Sequence, residues 1–242
     1  MSKNHILIVG ASSSIGCEII RQISDDNTII LAHYRSGKSR LDALQAEVAA
    51  RIIPIQADLS LEVGIDFLVE SVASNCDFPS KIIFIAAPGF ELTRFKDLTW
   101  ADFKEQMDVQ LYSAFKILNR FLPEMSQAKQ GKVVFVLSSY TLGNPPSAMA
   151  HYVTAKYALL GLMKSLASEY AGKKICINAV SPSMIETDFL AQIPEKIVEF
   201  TAQQHPQKRN GTPADIAPVV KFLLSEEAGF VTGVNIPVTG GA

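Results

Sequence analysis

The fold class the sequence predicts is a doubly wound parallel sheet of about seven strands, covered by helices on both faces in three α/β/α layers. Three observations predict it. Short runs rich in Ile and Val alternate with longer stretches of helical periodicity. The runs are apolar throughout instead of alternating, which marks strands buried on both faces. The alternation continues without a linker, charge block, low-complexity segment or internal repeat, so residues 1–242 read as one domain.

The elements follow in order. The first run, 6–9, ends in Gly10 and is followed by a helical pattern over 15–23. The second, 29–32, precedes 41–48, where Leu41, Leu44 and Val48 recur at helical spacing. The third, 52–55, precedes 61–72, and the fourth covers 82–86. One long helix is expected over 100–121, opened by Thr99 with Asp102 three residues on, a capping pair. Run 133–137 precedes a helix over 151–170, and 175–180 is the sixth run. Residues 181–210 read as irregular, with a substrate-loop insertion at about 183–210. It follows the sixth strand at the carboxyl edge of the sheet, where ligands bind in this architecture. Thr212-Pro213-Ala214-Asp215 reads as an N-cap, a proline at the first helical position and a first-turn acid. Leu223 and Leu224 close that helix, and 234–238 is the last strand.

Composition narrows the function. Apolar residues make up 48% and charged residues 19%, the balance of a packed globular chain. A net charge of −2 predicts no general affinity for nucleic acid. Cys17, Cys76 and Cys176 are odd in number and lack metal-ligand spacing, so they read as structural thiols in a reducing compartment. The apolar run at 6–9 is too short for a signal-peptide core or a membrane span, so a cytoplasmic protein is expected, with no membrane partner and no metal.

The first strand runs into Gly10-Ala11-Ser12-Ser13-Ser14-Ile15-Gly16. Such a loop lets a diphosphate sit on the N-terminus of the next helix, with Gly10 making the turn and Gly16 allowing helix to pack on strand. Ser12, Ser13 and Ser14 offer hydroxyl donors. Alone, the loop is also compatible with a plain small-residue turn. NAD-selective sites place an acid near the end of the second strand. Here that region reads His33-Tyr34-Arg35-Ser36-Gly37-Lys38-Ser39-Arg40, with no acid and three cations, so it is either a 2′-phosphate site or a solvated basic turn. Arg35 could grip a 2′-phosphate by its planar fork, which favours NADP, with NAD as the alternative.

Ser138-Ser139 follows the fifth strand, Tyr152 comes thirteen residues after Ser139, and Lys156 lies at i+4 from Tyr152. On a helix these last two share a face. The lysine charge is expected to lower the tyrosine pKa toward a working acid–base range. Each feature alone is common; their combination with the glycine loop and the strand order is specific.

On these residues the chain resembles the short-chain dehydrogenase/reductase family over essentially its whole length. The resemblance rests on Gly10 to Gly16, Leu137-Ser138-Ser139, Tyr152-Val153-Thr154-Ala155-Lys156, Asn178-Ala179-Val180-Ser181-Pro182, Ile185-Glu186-Thr187-Asp188, Thr232-Gly233 and Gly240-Gly241. Its length and modest loop make it most similar to 3-oxoacyl carrier-protein reductases. The resemblance implies a Rossmann domain in which Tyr152 is the general acid, Lys156 also binds the nicotinamide ribose, and Ser139 orients the carbonyl. It implies that Asp58 and Leu59 contact adenine and that Ile185 and Thr187 touch the nicotinamide amide. Ala86, Ala87 and Pro182 complete the cofactor set. It also implies a homo-oligomer, a tetramer or a dimer, with helices 100–121 and 151–170 at subunit contacts.

Four departures stand out. The middle glycine of the loop is Ser14; the usual Asn-Asn-Ala-Gly is Ile85-Ala86-Ala87-Pro88; the catalytic Asn is Gln110; and the Pro-Gly after strand six is Pro182-Ser183. They suit a specialised biosynthetic reductase better than housekeeping fatty-acid synthesis.

Among other residues, Trp100, Phe103 and Phe115 read as core, and His151 as a helix-start residue. His5, His33 and His205 show no partner pattern. Lys129, Lys132, Lys173 and Lys174 read as a solvated surface. Phe90, Met184 and Phe189 are expected to line a substrate pocket, under a lid over 184–204. The expected function is reduction of a carbonyl with NADPH, the substrate a 3-oxoacyl thioester, a keto-sugar or another small ketone, free or carrier-bound. The alternatives are an NAD-dependent alcohol dehydrogenase and a non-catalytic nucleotide-binding protein.

Overall fold

The computed structural model describes residues 4–89 and 91–242. Among them, seven parallel strands form one sheet: β1 (Asn4–Val9), β2 (Thr28–Tyr34), β3 (Arg51–Gln56), β4 (Lys81–Phe84), β5 (Gly131–Val136), β6 (Ile175–Pro182) and β7 (Asn235–Val238). Their order is β3-β2-β1-β4-β5-β6-β7. The helices are α1 (Ser14–Ile23), α2 (Lys38–Gln45), α3 (Glu62–Asn75), α4 (Trp100–Met107), α5 (Ser113–Ala128), α6 (Ala150–Tyr170), α7 (Glu195–Gln204) and α8 (Pro213–Leu224). The chain winds outward from β1 to β3, returns to β4 beside β1, and winds outward again. The reversal opens a crevice at the carboxyl ends of β1 and β4.

Side chains of a strand alternate between faces, and the runs supply apolar residues for both. Leu7, Leu31, Phe84 and Phe135 join Phe121 of α5 on one face. Ile6, Ile8, Ile30 and Val134 join Ile216 and Val220 of α8 on the other. Strands β2, β5 and β6 are buried along their whole length, as the apolar runs at their centres predict.

The structure corrects several expectations. The fourth strand stops at Phe84, because the amides of Ile85 and Ala86 both turn to the Val9 carbonyl at 2.9 Å. The long helix is two helices joined by a π-turn at Asp108–Tyr112, where the Ser113 hydroxyl donates to the Val109 carbonyl at 2.6 Å. The stretch 181–210 is not wholly irregular: β6 extends to Pro182, and α7 lies inside it. Helix α7 buries no residue, and its apolar Ile197 and Phe200 stay exposed. Trp100 is 76% exposed and Phe115 half exposed, so neither is core; Trp100 stacks on Phe103 with ring centroids 6.2 Å apart. Lys132 is buried, its Nζ 3.7 Å from Cys176 Sγ, and so leaves the solvated set. The three cysteines are free thiols, two of them buried.

Candidate active site

The crevice is a cavity of about 760 Å³ along the carboxyl ends of the strands. Its first end is built from backbone. Gly10 has φ +93°, and a Cβ there would lie 2.7 Å from the Ala86 nitrogen, so only glycine lets β1 turn so close to the end of β4. At Gly16 a Cβ would meet the Ala11 carbonyl at 2.5 Å, so that glycine seats α1 against the loop. Ser13 caps α1: its Oγ accepts from the Gly16 amide at 3.1 Å and donates to the Gly10 carbonyl at 2.8 Å. The Ser12 hydroxyl donates to the Ser36 carbonyl at 2.8 Å. Two of the three expected hydroxyl donors therefore hold the loop itself, and Ser14 lines the cavity beside them.

His33 pins this end. Its Nδ1 accepts from the Gly10 amide at 3.1 Å and its Nε2 lies 3.2 Å from the Ala57 carbonyl, which makes it the Nε2–H tautomer. Burial holds its pKa down at about 4, so the ring is neutral. No local sequence pattern marks these partners, which come from two other strand ends, 23 and 24 residues away. His205 likewise gains partners, with Nε2 2.7 Å from the Thr239 carbonyl and Nδ1 accepting from the Gln207 amide. Asp58 Oδ1 accepts from the amide and the hydroxyl of Ser60, and these bonds lower its pKa.

The other end holds titratable side chains. Tyr152 and Lys156 occupy one face of α6, both buried, with Lys156 Nζ 5.5 Å from the centre of the Tyr152 ring. Lys156 Nζ donates to the Val136 carbonyl at the end of β5, at 2.9 Å. Ser138, Ser139, Tyr140, Met149, Met184 and Phe189 share the cavity wall, and the Phe189 ring lies 6.1 Å from that of Tyr152. Burial depresses the Lys156 pKa to about 7 and raises that of Tyr152, against a hydrogen bond with Ser138. The expectation that the lysine charge lowers the tyrosine pKa is therefore reversed in this state. Burial is the largest cause for both groups and sets both directions.

A family model described as enoyl-(acyl carrier protein) reductase matches residues 10–242. The chain belongs to the short-chain dehydrogenase/reductase family. Among its relatives in that family, the 3-oxoacyl-(acyl-carrier-protein) reductase FabG of Staphylococcus epidermidis is 30% identical, over 97% of each chain. Levodione reductase superposes with a TM-score of 0.89 at 26% identity, over 98% of this chain and 96% of that one. A 3-oxoacyl-(acyl-carrier protein) reductase of Brucella melitensis with bound NAD gives 0.88 at 25% identity, over 99% and 91%. The protein is thus an NAD(P)-dependent oxidoreductase.

The residues present fit a nicotinamide dinucleotide of the kind this family uses. The close-approach glycine and the capped N-terminus of α1 form one continuous wall with Gly10, Ser12, Ser13, Ser14, Ile15, Arg35, Asp58, Leu59, Ala86, Ala87, Pro182, Ile185 and Thr187, which all line the cavity along with Tyr152 and Lys156. Gly16 acts behind the wall. Gln110 does not line the cavity: it is buried in the π-turn, its Nε2 donating to Gln106 Oε1 at 2.7 Å. His151 is buried outside the wall, its ring 6.3 Å from that of Phe103. Met184 and Phe189 line the cavity as expected, and Phe90 lies outside the described residues. Sequence reasoning placed Ser138 beside Ser139 but gave it no role, and it did not find Tyr140 and Met149, which a loop folds back onto Tyr152.

Proposed function

We propose that this protein reduces a carbonyl compound using NADPH, with Tyr152 donating the proton. The observation that carries the proposal is the burial of Tyr152 and Lys156 on one helix face, at the end of a cavity whose other end is a glycine loop and a helix N-terminus. When bound, the cofactor supplies the hydride. Tyr152, its pKa raised by burial, stays protonated and presents a loaded acid to the carbonyl oxygen. Lys156, poised at about 7, takes up a proton as the phenol becomes phenolate, because an adjacent negative charge favours the ammonium. Ser139 and Ser138 stand where hydroxyls orient the carbonyl. The apolar wall of Met149, Met184, Phe189 and Leu190 excludes water and suits an uncharged ketone or a 3-oxoacyl thioester, free or carried.

NADPH is favoured over NADH because the segment that follows β2 lines the cup with Arg35, Ser36, Gly37, Ser39 and Arg40 and contributes no acid to it. We assign the protein to the cytoplasm on its free thiols. We also read it as a homo-oligomer, since Phe95, Trp100, Phe115 and Phe67 expose apolar surface around α3, α4 and α5. The deciding experiment pairs turnover with cofactor titration. Tyr152→Phe should cut turnover by about 10²–10⁴-fold while leaving NADPH affinity unchanged. Retained turnover would remove the acid role, and equal activity with NADH would remove the cofactor preference.

A further inference from the structure

An ion pair crosses the mouth of the cavity. Arg40 Nη1 of α2 binds Asp188 Oδ2, and both residues line the cavity. Arg40 belongs to the cationic cup beyond β2; Asp188 belongs to the loop that follows β6. Its chain neighbours reach the opposite end: Thr187 lines the cavity, and the Phe189 ring lies beside Tyr152. Three consecutive residues thus join the cup to the reacting end. The nearby Arg21 is already engaged, 2.9 Å from Glu47 and 3.5 Å from Glu18, so that network leaves Arg40 and Asp188 to each other.

As a source of stability the pair is weak, because both side chains are about half exposed or more. As a charge arrangement it has a direct consequence. A 2′-phosphate entering the cup needs the guanidinium that Asp188 holds, and Asp188 is itself an anion facing that phosphate. We infer that Arg40 is a second cofactor-specificity residue and that Asp188 is its built-in competitor, so a 2′-phosphate draws Arg40 away from the substrate loop. A cofactor lacking that phosphate leaves the tie intact. The substrate loop therefore responds to which cofactor is bound. This inference rests on the NADPH reading above.

Calorimetric titration with NADPH and NADH tests it on the wild type, Asp188→Asn and Arg40→Gln. Removing the competing charge in Asp188→Asn should tighten NADPH by about three- to tenfold and leave NADH unchanged. Arg40→Gln should weaken NADPH about tenfold or more, again without moving NADH. Hydrogen exchange over residues 187–204 should be faster in the NADPH complex than in the NADH complex. A wild type that prefers NADPH, with a ratio unmoved by Asp188→Asn or equal exchange in the two complexes, would overturn the inference alone. A wild type that prefers NADH would overturn the cofactor reading together with it.

Discussion

The two ends of the cavity are built by different physics. The end around Gly10 is a steric construction in which the parts lie within backbone contact and the polar groups are satisfied internally: Ser13 by Gly10 and Gly16, His33 by Gly10 and Ala57. The end around Tyr152 is an electrostatic construction. It holds a buried phenol and a buried amine with displaced pKa values, walled by loops from distant parts of the chain. The first is held by packing and internal hydrogen bonds; the second is set by burial, which keeps both Tyr152 and Lys156 toward their neutral forms.

The largest effect should come from breaking the steric end. Gly10→Ala places a Cβ 2.7 Å from the Ala86 nitrogen at φ +93°. Cofactor affinity should fall about 100-fold or more, and stability by about 1–3 kcal/mol, read by calorimetry and thermal melts. Proton linkage then separates the ends by pH. Lys156 titrates at about 7 in the folded chain, below the ordinary lysine value of 10.5. Between those values the unfolded chain binds more protons, so stability rises with pH across that window, and the burial penalty is fully present below it. Lys156→Met should abolish turnover yet stabilise the cofactor-free protein at pH 7 and below. Its advantage should shrink toward pH 10.5, by at most about 5 kcal/mol.

A smaller effect should mark the other end. His33 titrates at about 4, below 6.5, so its contribution is intact above pH 6.5 and is lost as pH falls through that window to 4. His33→Asn keeps an acceptor for the Gly10 amide and removes the titration. It should cost about 1–3 kcal/mol at neutral pH and flatten up to about 3 kcal/mol of acid dependence in urea melts. A flat wild-type profile in either window would dissolve the distinction drawn between the two ends.

The contrast also explains what the sequence revealed. The steric end was legible because its instructions are contiguous: a strand, a glycine loop and a capped helix follow one another over about twenty residues. Tyr152 and Lys156 were legible because four residues bring two side chains to one helix face. Their pKa directions were not, since these depend on burial by elements far away in sequence. The same holds for His33, whose partners lie on other strand ends. Helix α7 carries apolar Ile197, Val198 and Phe200 but opens after Pro194 with no capping side chain to announce its start, and the π-turn over Asp108–Tyr112 contains no glycine or proline to mark it.

That unburied helix has a consequence for how such a protein changes. Its N-terminal side is tethered by Arg40 to Asp188, and its C-terminal side by His205 to the Thr239 carbonyl. The sheet and its two cores take nothing from the helix itself. The segment behaves as an exchangeable cassette between two clips. Its length and side chains are free to drift, or to be grafted from another reductase, at little thermodynamic risk to the scaffold. Changes in this segment can therefore reshape the wall that Phe189, Leu190 and Ile193 give the cavity without disturbing the sheet.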